Sequence, residues 1–142
     1  MKTVFADTVY WVATVRPGDQ WGGSARRAKS LVGSARLLTT DEVLTEFLTA
    51  LSSGGEHLRR QAAKMVRAIL ANPNVRVLAQ SRESFLQGLE FYEQRPDKEY
   101  SVTDCVSMNA MRLESVAEAL TNDRHFAQEG FVVLMAEKDE PK

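Results

Sequence analysis

Four acidic residues, Asp7, Glu46, Asp104 and Asp123, stand where a carboxylate could do chemistry. Asp7 directly follows a short apolar run, Asp104 closes Ser101-Val102-Thr103-Asp104, and Asp123 closes Thr121-Asn122-Asp123. Glu46 lies in a segment where Val43, Leu44, Phe47, Leu48 and Leu51 fill one helical arc, and it falls about 60° outside Val43 at the margin of that arc. Each acid also has a purely structural role open to it. Asp7 can cap a helix, Asp104 can be the third residue of a capping box opened by Ser101, Asp123 can form an Asx-turn or cap, and Glu46 can be solvated. Four carboxylates brought together would repel one another unless cations sat among them. Hard oxygen donors without His or Cys select Mg²⁺ or Mn²⁺, as one ion or two. Such ions suit phosphoryl-transfer hydrolysis, because they acidify a water and stabilise the leaving oxygen. Thr8, Thr121 and Asn122 adjoin the acids and can hydrogen-bond the ligands or their waters.

Other chemistries find less support. His57 and His125 are far apart without metal-ligand spacing, and His125 reads as a packed or surface histidine. Cys105, the one cysteine, reads as core; it excludes an internal disulfide and fits a reducing cytoplasm. No zinc-type CxxC, GxxxxGK[ST], GxGxxG or GxSxG motif is present. Asp41 and Glu42 open a helix, where acids favour the positive end of the dipole. A haloacid-type phosphatase would need a second Asp in Asp7-Thr8-Val9, and the acid pair and late Lys of a receiver domain are missing.

The elements that must position these residues alternate along the chain. Strands are expected over 3–6, 36–39, 75–79, 119–121 and 131–136. Helices are expected over 8–14, 20–32, 41–52, 56–71, 82–93, from Ser101 or Thr103 to about 118, and 124–128. Thr40 and Ser81 supply caps, and Gly33 a stop. Alternation of this kind predicts an α/β protein with three layers, α/β/α, and a mostly parallel central sheet of about five strands. Ligand sites in such sheets lie beyond the carboxyl ends of the strands. Three of the four acids fall where a strand ends or a helix begins, and Glu46 follows its strand by less than two helical turns.

The 142 residues fit one domain over 1–136 with a charged tail over 137–142. Hydrophobic residues make up 44 %, enough for one core, and no apolar run approaches the roughly 20 residues of a membrane span. Asp7 interrupts the N-terminal apolar run before a signal-peptide core forms, so a cytoplasmic protein is expected. Net charge is −1, yet residues 24–82 hold ten Lys/Arg against four Asp/Glu, and the rest eight against fifteen. A basic part and an acidic part can hold a phosphate backbone and cations, respectively. Arg60, Lys64 and Arg67 share one helix face opposite Met65, Val66, Ile69 and Leu70, and are candidates to track RNA. Arg26, Arg27, Lys29 and Arg82 are the alternative path.

Phe5-Ala6-Asp7, Leu38-Thr39-Thr40 leading to Glu46, Ser101-Val102-Thr103-Asp104-Cys105-Val106-Ser107, and Thr121-Asn122-Asp123-Arg124-His125-Phe126 followed by Gly130-Phe131 together resemble PIN domains. The similarity is greatest to VapC-type toxins, and it spans nearly the whole chain in order. The last two motifs are the specific ones. The resemblance implies a metal-dependent ribonuclease with Asp7, Glu46, Asp104 and Asp123 as its acidic quartet. It also implies a homodimer and, for a toxin, a small antitoxin protein. A PIN-like module that binds or processes RNA without a toxin role is the alternative.

Overall fold

The computed structural model describes residues 2–136; the expected charged tail over 137–142 lies outside the described residues. The first strand, β1 (Thr3–Ala6), runs directly into helix α1 (Thr8–Val15). Helix α2 (Gly22–Val32) and strand β2 (Arg36–Thr40) follow, then helices α3 (Asp41–Leu51) and α4 (Glu56–Ala71). Strand β3 (Val75–Leu78), helices α5 (Arg82–Gln94) and α6 (Val102–Leu113), strand β4 (Glu118–Leu120), helix α7 (Arg124–Gln128) and strand β5 (Val132–Val133) complete the described chain.

The strands form one sheet in the order β3-β2-β1-β4-β5, and all its pairings are parallel. Val4, Phe5 and Ala6 are fully buried in succession, as are Leu37 to Thr40 almost completely. Consecutive burial, rather than alternation, is what a strand shows when helices cover both faces of its sheet. The expected three-layer α/β/α architecture is therefore the observed one. The chain builds outward from β1 through β2 to β3, then returns to the other side of β1 with β4 and β5. The order reverses between β1 and β4, and a crevice opens beyond their carboxyl ends.

Local chemistry accounts for most element ends. Thr40 accepts the Val43 amide at 3.1 Å and starts α3. Ser81 and Ser84 form a capping box at the start of α5. Gly33 ends α2 at φ 59°, a conformation that favours glycine. Helix α6 stops at Leu113, well short of the expected end near 118. Ser115 takes φ 57°, and the amides of Ser115 and Val116 bond back to the carbonyls of Arg112 (3.2 Å) and Met111 (2.8 Å). That is a Schellman ending with serine where glycine usually stands, so no glycine marks it in the sequence.

Smaller differences have similar causes. The Arg16–Asp19 turn is held by the Trp21 amide bonding to Asp19, so α2 begins at Gly22 rather than at Gln20. Strand β4 lies one residue earlier than expected, and β5 is shorter, with only Val132 and Val133 paired. Leu48 and Leu70 were expected in the core but are 37 % and 57 % exposed. Each lies at the edge of its helix's apolar arc, and Leu51 and Ala62 take the interior places. No described helix is long and apolar enough to cross a membrane.

Candidate active site

Burial of Val4, Phe5 and Ala6 carries β1 through the core and delivers Asp7 at its carboxyl end. Asp7 occupies the N-cap position of α1, but its side chain makes no capping hydrogen bond. Instead its Oδ2 accepts the Thr121 hydroxyl at 2.7 Å, across the junction of β1 and β4. The Asp7 amide donates to the Leu120 carbonyl at 3.2 Å, which closes the same junction. Burial pushes the Asp7 carboxyl up to about 7. The bonds from Thr121 and the Thr8 amide oppose that rise, while the negative charges of Asp104 and Glu46 add to it.

Glu46 reaches the site from α3, where its Oε1 accepts the Thr8 hydroxyl at 2.7 Å. Asp104 enters from the first turn of α6. There it forms the expected capping box: Ser101 Oγ accepts the Asp104 amide at 3.0 Å, and Asp104 Oδ2 accepts the Ser101 amide at 3.1 Å. Burial raises its carboxyl above the ordinary range and the nearby Asp123 charge adds to this, against the Ser101 bonds and His125. Asp123 caps α7, its Oδ1 accepting the His125 amide at 2.9 Å. The Asp123 amide donates to Thr121 Oγ1 at 3.1 Å. Thr121 is thus a fully buried hub that orients Asp7 with its proton and Asp123 with its lone pair.

All four acids line one cleft of about 460 Å³, together with Thr8 and Asn122. Among the described residues, no Lys or Arg forms an ion pair with any of the four. The PIN domain family model matches residues 4–131. The chain belongs to the PIN domain family.

Within that family it is 30 % identical, over 134 residues, to the 23S rRNA-specific endonuclease VapC20 of Mycobacterium tuberculosis, from both strain CDC 1551 / Oshkosh and strain ATCC 25618 / H37Rv. That alignment covers 94 % of this chain and 99 % of VapC20. The crystal structure of M. tuberculosis VapC20, described as a sarcin-ricin loop cleaving toxin, superposes with a TM-score of 0.80 at 29 % identity, covering 91 % of this chain and 96 % of that one. FitAcB from Neisseria gonorrhoeae shares the fold, with a TM-score of 0.66 at 12 % identity over 94 % of this chain and 99 % of that one.

The donor set of this PIN-domain cleft fits a divalent cation: its acids offer hard oxygen atoms, and its buried Asp7 carboxyl lacks a cationic partner. Two residues of the site escaped the sequence reading. His125, expected to be merely packed or at the surface, places Nδ1 3.1 Å from Asp123 Oδ1 and 3.5 Å from Asp104 Oδ2. The Asx-turn at Asp123 folds the residue two positions later back over the carboxylate, so Asp-x-His after a strand was the available signal. Arg16, read only as part of a turn, lines the cleft wall. It is held by a 3.1 Å bond to the Ala50 carbonyl and lies 3.7 Å from Asp19.

Arg60, Lys64 and Arg67 are exposed on α4 and do not line the cleft; Arg60 pairs with Glu56. Cys105 is fully buried, and burial pushes its thiol up to about 11, which removes it as a nucleophile. His57 is exposed on α4.

Proposed function

We propose that this chain is a divalent-metal-dependent endoribonuclease, the toxin of a toxin–antitoxin pair, with ribosomal RNA as its substrate class. One observation carries the reading: four carboxylates from four separate segments line a single cleft with no Lys or Arg paired to them. Asp7, Glu46, Asp104 and Asp123 would hold Mg²⁺ or Mn²⁺, as one ion or two. When bound there, such an ion would supply neutralisation of the phosphodiester charge and acidification of the attacking water.

The chain's own residues do the rest. The Thr121 hydroxyl fixes Asp7 and the Thr8 hydroxyl fixes Glu46, so both carboxylates meet a ligand already oriented. Asn122, beside them in the cleft, offers an amide for a water or a ribose hydroxyl. Arg16 brings a guanidinium to the wall of an otherwise acidic cleft, where a phosphate oxygen can accept from it. Hydrolysis joins water to phosphorus and breaks the phosphorus–oxygen bond of the leaving nucleoside, so no side chain becomes covalently modified. Arg60, Lys64 and Arg67 form a separate exposed basic face suited to the RNA backbone. The M. tuberculosis relative is described as a toxin. A nuclease of that kind needs restraint in the cell that makes it, which a small antitoxin covering the cleft would provide. A second copy of the chain is the other expected partner.

The test uses the purified chain and a 23S rRNA fragment. Cleavage should appear with Mg²⁺ or Mn²⁺, vanish with chelator, and fall by at least about a hundredfold in Asp104→Asn, in line with the loss of a key charge-stabilising group. Asparagine keeps the size and capping ability of Asp104, so the fold should persist by circular dichroism. A folded Asp104→Asn protein with undiminished cleavage would reduce the residue to its capping role and overturn the site.

A further inference from the structure

His125 is not accounted for by the carboxylate site alone. Its Nδ1 is buried and has no hydrogen-bond partner, even though two carboxylate oxygens lie close by. A buried nitrogen without a partner costs free energy unless something else satisfies it. The ring is not loosely held. Its backbone amide is tied to Asp123 Oδ1, and its ring centre lies 5.1 Å from that of Tyr100, the two rings tilted at 59°. Tyr100 is itself anchored by donating its hydroxyl to Glu129 at 2.8 Å. The imidazole is thus clamped with Nδ1 turned toward Asp104 and Asp123, at an angle that satisfies no hydrogen bond.

The spacing fits a different role. Nδ1 and one oxygen from each of Asp104 and Asp123 all lie within 4.8 Å of one another. An octahedral ion with donors at about 2.1 Å places adjacent donors about 3 Å apart. The Nδ1 to Asp123 separation of 3.1 Å is that of such an edge, and the 3.5 Å separation from Asp104 is near it. A neutral imidazole adds a donor without adding to the repulsion among four carboxylates.

We propose that His125 is a direct metal ligand, supplying a nitrogen beside Asp104 and Asp123. This rests on the metal-dependent reading of the cleft and deepens it. Mixed oxygen and nitrogen donors favour Mn²⁺ over Mg²⁺, because imidazole suits the transition metal while carboxylate and water suit both. The site therefore discriminates in favour of Mn²⁺.

The test reads the metal rather than turnover. The full chain, carrying isotope-labelled histidine, is loaded with Mn²⁺ and its histidine nitrogen hyperfine coupling is recorded by pulsed electron paramagnetic resonance. The chain has two histidines, so His57→Gln serves as the control. Wild type and His57→Gln should show the coupling of a directly bound histidine nitrogen, and His125→Gln should lose it. The ratio of Mn²⁺ to Mg²⁺ affinity should fall roughly tenfold in His125→Gln, the scale on which losing one supporting group alters metal affinity. If His125→Gln fails to fold, the labelled wild type and His57→Gln still decide the matter. Mn²⁺ that binds wild type, is lost in Asp104→Asn, and shows no histidine coupling would overturn the ligand role of His125 and leave the carboxylate site standing. Failure of wild type to bind Mn²⁺ at all would overturn both.

Discussion

Glu129 and Asp7 are two carboxylates with well-buried side chains, and the protein provides for them in opposite ways. The Glu129 side chain is 7 % exposed and is saturated by its own chain. Arg95 donates to both its oxygens at 3.0 and 3.2 Å, Arg112 donates at 2.9 Å, and Tyr100 at 2.8 Å. The two guanidiniums also lie over the Phe91 ring, at 5.1 and 5.0 Å. Burial alone would raise the Glu129 carboxyl, but those bonds overcome it and hold it at about 2. Asp7 has a hydroxyl and an amide for company, and burial leaves it at about 7. The first arrangement is a finished structural joint. The second has no Lys or Arg paired to it among the described residues, and it is there that the proposed cation would act. Tyr100 bonds to Glu129 and packs on His125, which in turn borders Asp104 and Asp123.

The largest effect that separates them is a pH dependence. The Asp7 carboxyl titrates near 7 when folded and near 4 when unfolded, so between these values the folded protein binds the extra proton. Stability of the metal-free protein should therefore fall as pH rises from about 4 through 7, by up to about 4 kcal/mol from this group. Melting curves across that range should show the fall in wild type and a flatter profile in Asp7→Asn, whose amide oxygen can still accept from Thr121. Millimolar Mn²⁺ should restore wild-type stability near neutral pH and do little for an Asp7→Asn/Asp104→Asn double variant. An equal rise in that double variant would place the ions elsewhere.

Breaking the finished joint comes next. Glu129→Gln should cost about 2 kcal/mol, because it weakens the charge-assisted hydrogen bonds to the buried carboxylate while the part-exposed Arg95 and Arg112 keep their water. For a chain of this size that lowers the melting temperature by roughly 7 °C. The sign of the pH effect is reversed here: the Glu129 contribution is present above about 4.5 and is lost as pH falls toward about 2. A loss under about 1 kcal/mol in Glu129→Gln would mean that the arginines behave as ordinary surface pairs.

The smallest effect concerns cations that belong to neither cluster. Replacing Arg60, Lys64 and Arg67 with Ala should weaken RNA binding and flatten its salt dependence by about 2 in logarithmic slope, since each phosphate contact contributes about 0.7 to 0.9. Mn²⁺ affinity should not change. An unchanged slope would shift the RNA path toward Arg26, Arg27 and Lys29 or toward Arg82.

Much of this was legible in the sequence, and the legible parts share a cause. Helix starts at Thr40, Ser81 and Ser101 depend on side chains bonding to amides three residues away, so type and spacing announce them. The alternation of strands and helices announced a parallel sheet, and such a sheet places acids that follow its strands on one rim. The helix end at Ser115 was hidden because serine occupies a place where glycine would have been the signal.

What the tertiary structure alone decided lies between residues far apart in the chain. The order β3-β2-β1-β4-β5 sets β4 beside β1, and only then can Thr121 donate to Asp7 from 114 positions away. Periodicity carries each strand's burial but not its neighbour, so the sequence left Asp7 open between helix cap and site acid, and the fold buries it in the cleft against Thr121. His125 followed the same rule. Its backbone was fixed locally by Asp123, but the approach of Nδ1 to Asp104 and the packing on Tyr100 required α6 and α7 to meet across the sheet's carboxyl edge.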